Sequence, residues 1–205
     1  MAEQDTDGAV RIRGVVFDLD GTLVVGELDF EAMRREIGLP SRTPLLEAVE
    51  QLPPAARTSA LEVLHRHEHA AACRTRLNPG VPAFLDWLAR CGVRRAVLSR
   101  NMREAVEMTL RRCGLVFDLV LGREDAPYKP NPQGLRQICV CWNLPPAAVL
   151  MVGDYLYDIQ AGRSAGTHTA LVTHGIDWPF ANQADLVFPS FECIPDKLSL
   201  WIGTS

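Results

Sequence analysis

The chain has 205 residues, of which 47% are hydrophobic and 22% are charged, and its formal net charge is −4. This composition excludes a disordered or fibrous protein, and the length suits one domain or a core domain with a small insertion. No apolar run approaches the ~20 residues that a membrane span requires, and scattered arginines on an acidic chain argue against nucleic acid as the main partner.

The first residues of the chain, MAEQDTDGAVRIR, are polar and contain no apolar signal core. The six cysteines form no C-x-x-C pair, which is typical of reduced thiols. We therefore expect a cytoplasmic protein that does not associate with a membrane.

Short apolar runs alternate with segments of helical period along most of the chain. Six of these runs are continuously apolar and do not alternate with polar residues, so they predict strands that are covered on both faces. They lie at 15–17, 96–98, 119–121, 149–152, 169–172 and 186–188. Apolar spacing and stop signals between them predict helices near 84–91, 106–113, 132–143 and 156–165. This alternation predicts an α/β fold with a Rossmann-like three-layer core and a mostly parallel sheet.

Residues 27–76 interrupt the alternation because they contain no strand pattern. Apolar residues at helical spacing predict three helices there, at about 30–37, 45–52 and 61–71. We therefore expect a small all-helical cap at 27–76, inserted after the first strand of a core that is formed by 1–26 and 77–205.

Pairs of carboxylates follow two of the predicted strands. Asp18 and Asp20 come after the first strand, beside Gly21, and Asp154 and Asp158 come after the fourth. Ligands of open α/β sheets bind outside the carboxyl ends of strands, so these side chains are expected to meet. Four carboxylates in one place repel each other unless a cation intervenes, and oxygen ligands that leave room for water favour Mg²⁺.

Simpler interpretations of these carboxylates remain open. Asp20 and Gly21 are also typical of an ordinary turn at the end of a strand. Asp154 is also typical of a helix N-cap, although a cap does not explain the second carboxylate of Asp158 one helical turn later.

Two further residues stand at the ends of predicted strands or the beginnings of helices. Ser99 ends the second strand, where its hydroxyl and the next backbone N–H groups suit an anion, or where it simply caps a helix. Of 21 basic residues only Lys129 and Lys197 are lysines. Lys129 precedes a helix, where a compact charge can contact a phosphate and a carboxylate together, or can simply lie in solvent.

These residues together resemble the four sequential motifs of the haloacid dehalogenase superfamily. The motifs are Asp18-Leu19-Asp20-Gly21-Thr22, then Ser99, then Lys129-Pro130, then Gly153-Asp154 with Asp158. Their order and spacing agree with that family over nearly the whole chain. The helical insertion resembles the cap of the phosphoglycolate-phosphatase-like branch, although it is shorter.

The resemblance implies a Mg²⁺-dependent phosphatase that hydrolyses a small organic phosphomonoester through an aspartyl-phosphate. It implies that Asp18 is the nucleophile and that Asp20 is the general acid and base. Mg²⁺ would be held by Asp18, by the backbone carbonyl of Asp20 and by Asp154, with Asp158 in a supporting role.

The resemblance also implies the residues that bind the phosphoryl oxygens, which are Ser99, Lys129 and, as a candidate, Arg100. Arg100 departs from the usual second motif, and we expect its side chain to point to solvent rather than to reach the substrate.

Other functions remain possible on the sequence alone. A phosphotransferase such as a sugar-phosphate mutase shares the same motifs, and a catalytically silent binding domain is a weaker alternative. The expected partner is a small phosphorylated molecule, and the chain is expected to be a monomer or a homodimer.

Overall fold

The computed structural model describes residues 11–193 and 196–202. Its centre is a sheet of six parallel strands in the order β3-β2-β1-β4-β5-β6. The strands are β1 Gly14–Phe17, β2 Arg94–Leu98, β3 Leu119–Leu121, β4 Val149–Gly153, β5 His168–Val172 and β6 Leu186–Phe188. All six predicted strands are confirmed, since continuous apolar runs suit strands covered on both faces.

Eight α-helices are described in the same residues. They are α1 Phe30–Ile37, α2 Leu45–Glu50, α3 Pro54–Arg74, α4 Val81–Arg90, α5 Arg103–Arg112, α6 Gln133–Trp142, α7 Leu156–Ala165 and α8 Asp196–Ile202. Helix α3 begins well before the predicted bound of 61, because a proline suits the first helical turn. Helix α8 and two short 3₁₀ helices, at Pro146–Ala148 and Ala181–Gln183, were not predicted.

Apolar side chains cover both faces of the sheet. Along β1, Val15 and Phe17 face a cluster that includes residues of α4, α5 and α8, while Val16 faces a second cluster with residues of α6 and α7. Alternate side chains of a strand point to opposite faces, so β1 contributes to both clusters. Each fully buried side chain of this size contributes about 1.5–3 kcal/mol to the free energy of unfolding. Helices on both faces of the sheet confirm the predicted three-layer core.

Helices α1, α2 and α3 lie between β1 and α4 in the chain and enclose an apolar cluster of their own. It contains Met33, Leu45, Leu46, Val49, Ala60 and Leu64. The two connections to the core run side by side, because the Val25 N–H donates to the Arg76 carbonyl at 2.8 Å and Val24 bridges Leu77. The cap therefore follows β1 as expected, while its bounds at 27 and 76 stay a prediction.

Within the described residues, no helix combines the length and the apolar character needed to cross a bilayer.

Candidate active site

The chain turns sharply after β1, and this turn brings Asp18 and Asp20 to the edge of the sheet beside β4. The Asp18 N–H donates to the Val152 carbonyl at 2.9 Å, so it continues the pairing of β1 with β4. Gly21 has a φ of 83°, in the left-handed region, and a Cβ there would collide with the Asp154 carboxylate. The position requires glycine for both reasons, and this absence of a side chain lets the two motifs meet.

The end of β4 brings a second pair of carboxylates to the same place. The Thr22 hydroxyl donates to Asp154 Oδ1 at 2.9 Å, which ties the fourth motif to the first. Asp158 is buried and accepts the Tyr155 N–H at 3.1 Å. The alternative that Asp154 caps the helix is therefore wrong, because the capping contact is made by Asp158 and the N-cap residue is Tyr155.

Lys129 occupies the centre of this cluster. Its Nζ lies 2.5 Å from Asp18 Oδ1 and 2.7 Å from Asp158 Oδ1, and its side chain is 2% exposed. The alternative of a lysine in solvent is wrong. Burial alone would lower the pKa of Lys129, but Asp158 and Asp18 raise it above its usual value. Lys129 is therefore a buried, charged group between two carboxylates.

Three of the carboxylates converge closely enough to hold a metal ion together. Oxygen atoms of Asp18, Asp154 and Asp158 lie within 4.8 Å of one another. Burial, and then the charges of Asp18 and Asp158, raise the pKa of Asp154. This donor set of hard oxygen ligands under mutual repulsion fits a divalent cation such as Mg²⁺.

Asp20 is not one of these three converging carboxylates. Its Oδ2 accepts a hydrogen bond from Asn101 Nδ2 at 2.6 Å. Burial, and then Asp18, raise the pKa of Asp20 to about 7, although the hydrogen bond from Asn101 lowers it. A carboxyl group with such a pKa is suited to give and take a proton near neutral pH.

Ser99 and Arg100 follow β2 and differ in their surroundings. Ser99 is buried at the cavity, and its Oγ accepts the Asn101 N–H at 3.1 Å. Arg100 was expected to point to solvent, and that expectation is wrong. Its side chain is 21% exposed and donates to Glu47 of α2 at 2.8 Å.

These residues lie at the bottom of a cavity of about 410 Å³ between the core and the cap. We call its core side the floor, which consists of Asp18, Asp20, Ser99, Asn101, Lys129 and Asp154. The cap side carries the charged residues Arg34, Arg42, Glu47 and Glu68 and six apolar ones. We call the apolar ones the roof, which consists of Leu28, Phe30, Met33, Leu45, Leu46 and Leu64. A polar floor below an apolar roof is the usual character of a small-molecule site.

Sequence reasoning missed two side chains that support the site. The buried Asn78 Nδ2 donates to the carbonyls of Gly21, Thr22 and Val24 at 3.2, 2.8 and 3.2 Å, and so holds the turn after β1. Glu68 of α3 is buried and paired with Arg123. The signal that could have found Asn78 is its place directly after the predicted cap.

Comparison with known proteins identifies the family of the chain. The family model described as haloacid dehalogenase-like hydrolase matches residues 24–172. The chain belongs to that family. It lies in the branch of phosphoglycolate-phosphatase-like members, and the predicted family is confirmed.

Individual relatives cover most of this haloacid dehalogenase-like hydrolase. A haloacid dehalogenase-like hydrolase domain-containing protein of Arabidopsis thaliana is 35% identical over 184 residues, which are 84% of this chain and 75% of the relative. An N-acetylmuramic acid 6-phosphate phosphatase of Pseudomonas putida is 32% identical over 84% of this chain and 88% of its own.

Among solved structures, a predicted phosphoglycolate phosphatase of Haemophilus somnus superposes with a TM-score of 0.71 and 24% identity, over 94% of this chain and 99% of the other. This likeness establishes the fold. Together with the family match, the relatives make the chain an enzyme of the hydrolase class.

Proposed function

We propose that this hydrolase is a Mg²⁺-dependent phosphatase that acts on a small organic phosphomonoester through an aspartyl-phosphate on Asp18. The observation that carries the proposal is the Asp18 carboxylate itself. It lies at the end of β1 on the floor, with the buried Nζ of Lys129 at 2.5 Å. A fixed carboxylate beside a fixed cation suits attack on a dianionic phosphoryl group, because phosphoryl transfer depends on positioning and charge neutralisation.

The two reacting carboxylates divide the work. An Asp18 oxygen forms a bond to phosphorus while the bond from phosphorus to the ester oxygen breaks, and Asp20 gives its proton to that departing oxygen. In the second half, Asp20 takes a proton from water, which attacks the aspartyl-phosphate. Inorganic phosphate leaves, and Asp18 is regenerated as a carboxylate. The hydrogen bond from Asn101 holds the Asp20 side chain in place.

The phosphoryl oxygens are proposed to contact Lys129 and Ser99. Lys129 is held between Asp18 and Asp158, so its position is fixed before substrate arrives. Ser99 is fixed in the same way by the N–H of Asn101. Side chains that are positioned in advance lose little entropy when the charge of the transition state develops.

Asp18 and Asp154, with the backbone carbonyl of Asp20, are proposed to hold Mg²⁺, and Asp158 supports them. The convergence of Asp18, Asp154 and Asp158 favours this assignment. When bound, Mg²⁺ supplies positive charge that neutralises the phosphoryl oxygens and the carboxylates around them.

The proposed substrate is a small phosphorylated molecule that the helical cap at 27–76 covers. A cavity of about 410 Å³ with an apolar roof supports this size class, as does the name of the Pseudomonas putida relative, N-acetylmuramic acid 6-phosphate phosphatase.

All six cysteines are free, which supports a cytoplasmic location. A monomer or a homodimer remains the proposed state.

The direct test is release of inorganic phosphate from p-nitrophenyl phosphate. We expect release with Mg²⁺, a loss of at least about 10²-fold after chelation with EDTA, and recovery when Mg²⁺ is restored. The matched control is Glu36→Gln, which removes a charge from an ion pair within the cap and should leave release unchanged. Full turnover in EDTA would contradict the proposal, and a phosphorylated product in place of free phosphate would indicate a phosphotransferase.

A further inference from the structure

We propose that Arg100 is a positioning residue that ties cap helix α2 to the backbone of Lys129, so that closure of the cap sets the place of the catalytic lysine. The proposal rests on the proposed phosphatase function and deepens it. It gives Arg100 a different role from the phosphate contact that the sequence suggested.

Two hydrogen bonds define the connection. Arg100 Nη2 donates to Glu47 Oε1 of α2 at 2.8 Å, and Nη1 donates to the backbone carbonyl of Lys129 at 3.0 Å. We call this arrangement the Glu47–Arg100 link. One guanidinium therefore contacts the cap and the loop of the third motif at the same time.

Two aromatic rings lie close to the same guanidinium. Its Cζ lies 4.9 Å from the ring centre of Tyr128 and 4.5 Å from that of Tyr157. Planar guanidinium groups stack well on aromatic faces, where they are also attracted by the ring quadrupole. With two of its nitrogens bonded and two rings against it, the Arg100 guanidinium is already engaged within the protein.

The residue next to Lys129 also depends on the cap. Tyr128 packs against the apolar cluster of the cap. Burial, and then a hydrogen bond to Glu50 of α2, raise the pKa of Tyr128. The backbone around Lys129 is therefore held by α2 through both Tyr128 and Arg100. Because Lys129 Nζ lies between Asp18 and Asp158, a shift of this backbone moves the cation on the floor.

Arg100 is the ion-pair partner of Glu47. Its second oxygen, Oε2, is buried and has no hydrogen-bond partner among the described residues. A buried carboxylate oxygen is costly when the opposing cation is removed, so loss of Arg100 should release α2 from the core. Helix α3 stays attached, since Glu68 accepts the Met102 N–H at 3.0 Å and pairs with Arg123. The variants are therefore expected to fold.

The first experiment is hydrogen–deuterium exchange of the full chain with Arg100→Gln, Glu47→Gln and the double variant. We expect uptake to become roughly tenfold faster over 45–50 and over 128–130 in each single variant, with no further rise in the double variant. Glu36→Gln, which removes the same charge from a pair within the cap, should leave 128–130 unchanged. Unchanged uptake over both segments in Glu47→Gln would overturn the proposal.

The second experiment measures binding of inorganic phosphate by calorimetry in the presence of Mg²⁺. A positioning role predicts that Arg100→Gln and Glu47→Gln weaken binding by the same factor, about fivefold, and that the double variant equals either one. A direct phosphate ligand predicts a large loss for Arg100→Gln alone, with unchanged or tighter binding for Glu47→Gln, and that result would overturn the proposal. If the native chain releases no phosphate from esters, the proposed function fails, while deuterium uptake still decides the link.

Discussion

The floor and the roof of the cavity differ in the polarity of their side chains and in how far they should tolerate substitution. On the floor, each charged or polar side chain is held by another, at distances such as 2.5 Å from Lys129 to Asp18 and 2.6 Å from Asn101 to Asp20. The roof consists of apolar side chains, and all of them except Phe30 belong to or pack against the apolar cluster of the cap. Charged chemistry requires fixed atoms, whereas an apolar surface requires only volume. Changes on the floor should therefore cost far more than changes on the roof.

The largest expected effect is at the proposed nucleophile. Asp18→Asn keeps the shape of the side chain but removes the charge that is proposed to attack phosphorus, so we expect kcat to fall by roughly 10⁴-fold or more. Initial rates with p-nitrophenyl phosphate measure this, with circular dichroism as the check on folding. A rate within tenfold of the native enzyme would mean that Asp18 is not the nucleophile.

The next effect separates charge from shape at the same place. Lys129→Arg keeps the positive charge, but the planar guanidinium does not fit a 2%-exposed site between Asp18 and Asp158. We expect kcat to fall by about 10²-fold or more. Lys197→Arg on α8 is the matched control, because Lys197 is exposed and should tolerate the exchange. Native turnover by Lys129→Arg would show that the floor requires only charge.

The next effect is on stability, and it concerns Asn78, which holds the turn after β1. Asn78→Ala leaves the carbonyls that Asn78 Nδ2 now contacts without this donor, so we expect a loss of about 1–3 kcal/mol. In a chain of this length that corresponds to roughly 2–4 °C in Tm per kcal/mol. Thermal unfolding measures it, and Gln137→Ala, on an exposed face of α6, is the control. An unchanged Tm would mean that the turn after β1 holds itself.

The smallest expected effect is on the roof. Phe30 is 49% exposed at the cavity, and Phe30→Ala removes apolar surface without disturbing the floor. We expect KM for p-nitrophenyl phosphate to rise about threefold, with kcat unchanged and with no change for acetyl phosphate, which has no ring to bury. Val140→Ala, on α6 outside the cavity, serves as the control. A fall in kcat would contradict the separation of floor and roof.

The parts that could be predicted are those that depend on local pattern. The six strands followed from continuous apolar runs, and the carboxylates from their places after β1 and β4. The rarity of lysine draws attention to Lys129 but leaves a lysine in solvent open, and only the contacts with Asp18 and Asp158 show that it is buried.

The parts that could not be predicted depend on contacts between distant residues. Arg100 pairs with Glu47, which is 53 positions away, and Asn78 contacts carbonyls that lie more than 50 positions before it. Nothing in the sequence near Arg100 indicates that Tyr128, before α6, and Tyr157, in α7, lie against its guanidinium. Such contacts depend on how the cap lies on the core, and apolar periodicity within each helix carries no information about that.

Because the connections at Val25 and Arg76 run side by side, the cap can be replaced without moving the ends at which it joins the core. Because the two ends of the insertion already meet in the core, a longer or shorter insert closes a loop whose ends are fixed, and each doubling of its length costs only about 0.6 kcal/mol. The cap can therefore be replaced by one of another length while the core and its floor stay unchanged. The same pair of connections is the natural junction for chimeras that carry the cap of a relative with a different substrate.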